Sequence, residues 1–262
     1  MSANTNQQDC KVTLYWLNQS RGQRIAWLLE ELKLDYELKT FKRDKNSRAP
    51  AELKEIHPLG KSPAVGIEVP GAEKPVILVE SGTLVEYLTD HFGSWMVPKR
   101  YPEGKEGVIG AETEEWMRYR YVMHYVEGSL FTVLTIAMFM NNIRKAPVPF
   151  FIKPITRMIA NNVDSLFTNP EVALHLTFLE DYLASAPGGG DFFCGQTLTG
   201  ADVMMIFALE ALISRGDVAE TSYPKLYSWV RRIQARDAYK RAGDRITQAT
   251  GVRYVPFSEQ PL

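Results

Sequence analysis

Three short stretches carry side chains whose types and spacing suit chemistry. "LNQSRGQR" (17–24) joins an apolar run to a helical one, so the unpaired N–H groups of a helix start lie there beside the hydroxyl of Ser20. Such a place favours an anion, and a thiolate held there has its pKa drawn from about 8.5 towards neutrality. The plain alternative is that Ser20 caps the helix. "VESGTLVEYL" (79–88) sets Glu80 and Ser81 at a second strand-to-helix junction. The helix start suits a carboxylate and Glu80 suits an ammonium, the two ends of an amino-acid zwitterion; the alternative is a capping serine beside a solvated glutamate. "IHPLGKSPAVGI" (56–67) puts Pro63, which has no N–H, against the start of a strand. A cis Ser62–Pro63 bond explains that placement, because it presents the N–H and C=O of Ser62 to an extended peptide. Lys61 beside it suits a carboxylate. Together the three describe a peptide-binding cleft with a thiol activator.

The elements that must position these residues alternate in type. Strands are predicted over 11–17, 35–41, 64–69 and 75–79, with "PGAEK" turning the last two into a hairpin. Helices are predicted over 21–32, with Ile25, Leu28, Leu29 and Leu32 on one face, over 49–56, and over 81–92 with Ser81 as N-cap. The order βαβ then αββα is a small α/β domain with a mixed sheet, assigned to 11–93. A linker over 94–104 follows. Residues 105–250 then read as an all-α helical bundle, and 251–262 as a C-terminal tail. In the bundle, 105–145 reads as one long or bent helix, "APVPFFIKP" (146–154) as a break, and 156–186 as a second long helix. Thr199 and Asp202 form a capping box before a buried helix with Val203, Ile206, Phe207 and Leu209.

Composition excludes several classes. The chain has 262 residues, 30 Lys plus Arg against 31 Asp plus Glu, so no strongly basic surface marks a nucleic-acid partner. Cys10 and Cys194 form no CxxC, which points away from a disulfide framework and towards a reducing, cytoplasmic location. "MSANTNQQDC" does not read as a targeting peptide, and the apolar run 129–140 is too short to span a bilayer. His57, His91, His124 and His175 are too scattered for a metal-ligand spacing, so no metal is expected.

"GKSPAV", "ESGTLVEYL" and "LTGADVMM" resemble the signatures of cytosolic glutathione transferases, in the right order over about residues 11–250. The likeness is strongest to fungal transferases of the type first described in yeast, through "YWLNQSR", "LLEELKLDYEL" and "HYVEGSL". The resemblance implies a thioredoxin-like N-terminal domain, an all-helical second domain and a homodimer. It implies that glutathione is a co-substrate and that no cofactor is needed. Pro63 is then the family's cis-proline, Ser62 pairs with the cysteinyl backbone, and Glu80 and Ser81 take the γ-glutamyl amine and carboxylate. Lys61 matches a position that contacts the tripeptide, and Arg48 and His57 fall in a segment that meets the glycyl carboxylate. Thr199 and Asp202 are structural. Three residues compete to activate the thiol. Ser20 ranks first, by its spacing to Arg24; Tyr15 is second, by its spacing to Arg21; Asn18 is third. Met117, Tyr121 and His124 are candidates for the second substrate, a small hydrophobic electrophile or hydroperoxide, with bundle core or dimer interface as the alternative. The implied activity is conjugation, with peroxidase activity beside it. A non-catalytic regulatory or scaffold protein, or a dedicated biosynthetic transferase, is the alternative. The proline-rich insertion 141–171 suits a cap on the second-substrate site or a dimer-flanking element. Its Phe150, Phe151, Ile152, Lys153 and Arg157 also suit a membrane surface weakly.

Overall fold

The computed structural model describes residues 9–216 and 218–259. Strands β1 (Lys11–Leu17), β2 (Tyr36–Phe41), β3 (Ala64–Glu68) and β4 (Val76–Val79) form one sheet in the order β2-β1-β3-β4. β1 and β2 are parallel, while β1–β3 and β3–β4 are antiparallel, so the sheet is mixed. Alternation along β1 places Val12, Leu14 and Trp16 on the face covered by α1 (Gly22–Glu31) and α3 (Ser81–Phe92). Between β2 and β3, α2 shrinks to one turn, Leu53–Ile56, because Pro50 and the turns around it start the helix later than the apolar pattern suggests.

Helix α1 is buried on every side, from Gly22 to Glu30, and not on one face alone. The sheet lies against one flank, and α8 (Gly200–Ser214) and α10 (Asp237–Thr250) against the others. Its polar residues therefore find partners across the domain junction. Glu30 pairs with Arg241 (3.0 Å) and Arg245 (3.1 Å), and Glu31 with Arg236. At Gly200, a Cβ would sit 2.7 Å from Val85, so α8 meets α3 only because that position has no side chain.

The second domain is helical, as expected, but starts later. Residues 102–113 run as turns with Gly104, Gly107 and Gly110 at positive φ, and α4 begins at Glu114, where Thr113 accepts from the Trp116 N–H at 3.2 Å. The long helix 114–144 is bent in the middle: α4 (Glu114–Tyr125) and α5 (Phe131–Arg144) are joined by a π turn, Val126–Leu130. A second π turn, Asp164–Thr168, joins α6 (Lys153–Val163) to α7 (Asn169–Ala184). The continuous α4–α5 helix is long and apolar enough to cross a membrane by length and composition. Its Val122, Val126, Leu130 and Val133 are buried in the protein core, while Met138 and Phe139 near its end are exposed.

Helix α8 is buried nearly all round at the centre of the bundle, with Val203, Ile206, Phe207 and Leu209 among its buried residues. Asp202 closes the expected box: its carboxylate accepts from the Thr199 N–H (2.9 Å) and hydroxyl (2.8 Å), and also from the Phe193 N–H and the Trp229 indole. Helix α9 (Pro224–Ala235) and α10 complete the domain. The tail, left open by its sequence, folds back: Phe257 lies 5.0 Å from Phe207 and Ser258 accepts from Gln234.

Candidate active site

Strand register brings the three sequence stretches to one corner of the sheet. Tyr15 pairs with Ala64 and Ala64 with Val79. The end of β1, the Ser62–Pro63 turn before β3 and the Glu80–Ser81 junction after β4 are therefore neighbours. The Ser62–Pro63 bond is cis. Ladder pairing begins at Ala64, so the main chain of Ser62 lies beyond the sheet. The Ser62 hydroxyl ties the corner to β1, donating to the Tyr15 carbonyl at 3.0 Å and accepting the Leu17 N–H at 3.1 Å.

Ser20 is buried at the start of α1. Its hydroxyl donates to the Leu17 carbonyl at 2.7 Å, accepts from the Gly22 N–H at 3.0 Å and lies 3.5 Å from the Ser62 hydroxyl. Gly22 allows this approach: a Cβ there would stand 3.0–3.2 Å from Trp16, Ser20 and Ser62. The Trp16 indole N–H beside it is buried without a partner. Asn18 is occupied differently. Its side-chain oxygen accepts the Arg43 N–H at 2.7 Å, and the Arg43 guanidinium reaches the carbonyls of Asn18, Gln19 and Ser47. Asn18 thus pins the loop to the strand after it. Tyr15 stands half-buried on the sheet face away from α1, its ring against Gly66 and 5.7 Å from the Lys39 ammonium. Only its carbonyl meets the serine pair; its phenol ring lies at Gly66.

At the third loop, Glu80 takes φ 66°, a region that ordinary side chains rarely adopt. Its carbonyl accepts the Leu84 N–H at 2.9 Å. Glu80 is therefore the N-cap and Ser81 the first helical residue, a correction to the expected cap; the backbone turn at Glu80 makes its carbonyl the first acceptor of α3. The first N–H groups of α3 are left without helical acceptors beside the exposed Glu80 carboxylate. Lys61 is exposed next to Ser62, and His57 is half-buried, its Nδ1 accepting the Leu59 N–H at 3.3 Å. Arg48 is exposed, with its backbone fixed by Asp44.

The structure adds three residues whose role the sequence did not show. Arg24 is fully buried and donates to the Met204 carbonyl at 2.7 Å. Arg24 and Arg21 each also hold one oxygen of Glu127. Burial pushes the Arg24 guanidinium down to about 10, with Glu127 and, more weakly, Glu80 opposing the shift. The π turn sets Glu127 at this spot; only the "RGQR" spacing of two arginines hinted at a shared partner. Phe131 lies under Arg21 (5.3 Å) and Arg24 (5.8 Å), and a row of rings runs from it through Phe207 to Phe257 of the tail. Tyr121, by contrast, stacks on Tyr125 of its own helix and turns to α7, where it packs with Phe178 and Tyr182; Met117 shares its stripe and is exposed. His124 is exposed on the stripe between Arg120, which pairs with Glu86, and Glu127. Cys194 is buried, and burial raises its thiol far above its ordinary value. Among the described residues no cluster of metal ligands occurs.

A mixed four-stranded sheet with a cis-proline corner, followed by a helical domain, is the architecture of a thioredoxin-like domain carrying an all-α partner. Two family models match the chain: "Glutathione S-transferase, N-terminal domain" over residues 11–90 and "Glutathione S-transferase, C-terminal domain" over 142–241. The chain is 32% identical over 228 residues to "Glutathione S-transferase 1" of Saccharomyces cerevisiae, covering 87% of this chain and 92% of that protein. It is similar to a solved glutathione S-transferase from Actinobacillus pleuropneumoniae, with TM-score 0.64, 27% identity and coverage of 89% and 92% of the two chains. It is also similar in fold to a glutathione transferase homolog from Lodderomyces elongisporus, solved with two GSH per subunit, with TM-score 0.63, 19% identity and coverage of 88% and 97%. The chain belongs to the glutathione S-transferase family and is an enzyme of its fungal type.

Proposed function

We propose that the corner formed by Ser20, Ser62 and Glu80–Ser81 binds reduced glutathione and ionises its thiol for attack on an electrophile. The observation that carries the reading is the convergence of a helix start with a hydroxyl, a main chain left outside the sheet at Ser62, and a second helix start beside a carboxylate. That the Lodderomyces structure holds glutathione supports the choice of peptide. In this reading Ser62 pairs through its main chain with the cysteinyl residue, and Ser81 and Glu80 hold the γ-glutamyl carboxylate and amine. Lys61, His57 and Arg48 lie towards the glycyl end. The Ser20 hydroxyl turns from the Leu17 carbonyl to the sulfur, and the helix start together with Arg21 and Arg24 supplies positive potential.

The thiol proton leaves to solvent. The thiolate then attacks an electrophilic carbon, forming a C–S bond as the leaving group departs with its electron pair. With a hydroperoxide it attacks oxygen instead, giving an alcohol and a sulfenic acid that a second glutathione converts to disulfide and water. The row Phe131–Phe207–Phe257 is the proposed wall for the second substrate, in place of Met117 and Tyr121. Family membership supports a homodimer, which light scattering checks.

Calorimetric titration with glutathione, then assays with an aryl halide and an organic hydroperoxide, test the reading. Binding with turnover of either substrate is expected. Binding with no turnover points to a dedicated electrophile, and no binding sinks the assignment of the corner.

A further inference from the structure

We propose that Tyr254 is a peg that seats the C-terminal strap 252–259 as a lid on the second-substrate side of the site, and so favours large aromatic electrophiles over small ones. The proposal rests on the reading of Phe131, Phe207 and Phe257 as the wall for that substrate. Gly251 caps α10 with φ 68°, which turns the chain back along the helix. Tyr254 then enters a slot formed by Gln23 and Trp27 of α1 and by Tyr239, Ala242 and Ile246 of α10, and its ring fills that slot. The slot exists because residue 243 is glycine: a Cβ there would stand 2.8 Å from the Tyr254 ring. The Tyr254 N–H donates to the Thr247 hydroxyl at 2.9 Å, and its own hydroxyl lies 3.3 Å from that of Tyr239.

The peg decides where Phe257 lies. Val255 and Pro256 alone separate the two rings, and the fixed φ of the proline narrows the path between them. The Phe257 ring lies 5.0 Å from Phe207, which stacks on Phe131 at 6.0 Å, and Phe131 lies under Arg21 at the start of α1. Beyond the peg the strap is held by polar contacts: the Phe257 N–H donates to the Glu210 carboxylate, and Ser258 accepts from Gln234 at 3.0 Å. Val252, Arg253 and Glu259 are exposed, and Tyr254–Ser258 are half-buried. A short surface segment held in this way opens at far lower cost than the helices beneath it. Opening it uncovers Phe207 and Phe131, and closing it adds the Phe257 ring as an outer wall. A flat aromatic electrophile gains that ring contact, and a small hydroperoxide gains little from it.

Trypsin cleavage after the exposed Arg253 reads the strap without needing turnover, and kinetics read its role. In the wild type, S-hexylglutathione, a conjugate with an apolar arm, is expected to slow that cut about tenfold, and glutathione alone to change it less than about twofold. Gly243→Ala and Tyr254→Ala should each speed the cut about tenfold. Each should raise KM for an aryl halide about five- to tenfold at unchanged kcat, with KM for tert-butyl hydroperoxide and Kd for glutathione within about twofold of wild type. The double variant should do no more than Tyr254→Ala alone, since the added methyl then meets no ring. Circular dichroism melts verify the fold of each variant; Gly243→Ala brings in the better helix former, and Tyr254→Ala guards against its failing to fold. A conjugate that binds without slowing the cut overturns the lid. So does an unchanged KM for the aryl halide in variants whose strap is cut faster, or an additive double variant. If neither glutathione nor its conjugate binds, the reading of the whole corner fails and the lid with it, a result distinct from binding without protection.

Discussion

The Ser20 hydroxyl has one proton, and in the structure that proton points at the Leu17 carbonyl. Activating a thiolate therefore exchanges one hydrogen bond for a charge-assisted one, worth about 1.5–3 kcal/mol. Ser20→Ala is expected to lower kcat/KM about 10- to 100-fold while leaving the Kd of glutathione within about twofold; a loss confined to Kd would show that the residue only binds. In the proposed site Glu80 and Ser81 serve binding instead. Either residue changed to alanine should weaken glutathione by about 1–3 kcal/mol in a calorimetric titration, and unchanged affinity in both would remove them from the site. At this scale the sequence was readable where chemistry is local. A serine at a helix start, a proline against a strand and a Glu-Ser junction are all visible in neighbouring residues. Arg21, Arg24 and Glu127 were not readable as a group, because their meeting depends on a π turn a hundred residues away along the chain.

The elements explain that gap. The π turn Val126–Leu130 carries Glu127 between two arginines at the start of α1, and α1 is enclosed by the sheet and by α3, α8 and α10. Arg24 has no water to fall back on, so losing the Glu127 charge strands a buried cation. Glu127→Gln should lower unfolding stability by about 2–3 kcal/mol, less than for a fully buried pair because Glu127 is partly exposed. Urea denaturation measures this, and a change under about 0.5 kcal/mol would mean that the pair is as weak as an ordinary surface contact. The strands and helices of the first domain were legible because their apolar periods are clean. The start of α4 was not, since the glycines at 104, 107 and 110 follow a charged stretch that reads as helical by composition alone. The one-faced reading of α1 failed for a related reason: a helix shared by two domains loses its solvent face.

Across the whole molecule, the junction is polar as well as apolar. Glu210 of α8 is fully buried, accepting from Gln23 of α1, Gln234 of α9 and Tyr239 of α10, while Tyr239 also meets Tyr254 of the tail. Burial raises the Glu210 carboxyl above its ordinary range, against those hydrogen bonds. The folded chain then keeps a proton that the unfolded chain has released, so this contribution is full at acid pH and is lost as pH rises through the folded value. Asp202 shares the direction, again through burial. Glu210→Gln should therefore flatten, without abolishing, the fall in thermal midpoint as pH rises above the ordinary carboxylate range; an identical slope would show that Glu210 is ionised in the fold. The two-domain order was legible because the alternating and helical patterns change near residue 100. The tail was not, since its anchors Phe207, Gln234 and Tyr239 lie on three different helices.

In the proposed mechanism this junction of sheet and helix starts turns a thiol into a thiolate. Ultraviolet absorbance of thiolate in the glutathione-bound protein, followed against pH for wild type and Ser20→Ala, measures it directly. The bound thiol is expected to ionise well below the free value of about 8.5, with the variant shifted back towards it. A bound thiol that titrates where free glutathione does would show that the site leaves it unactivated.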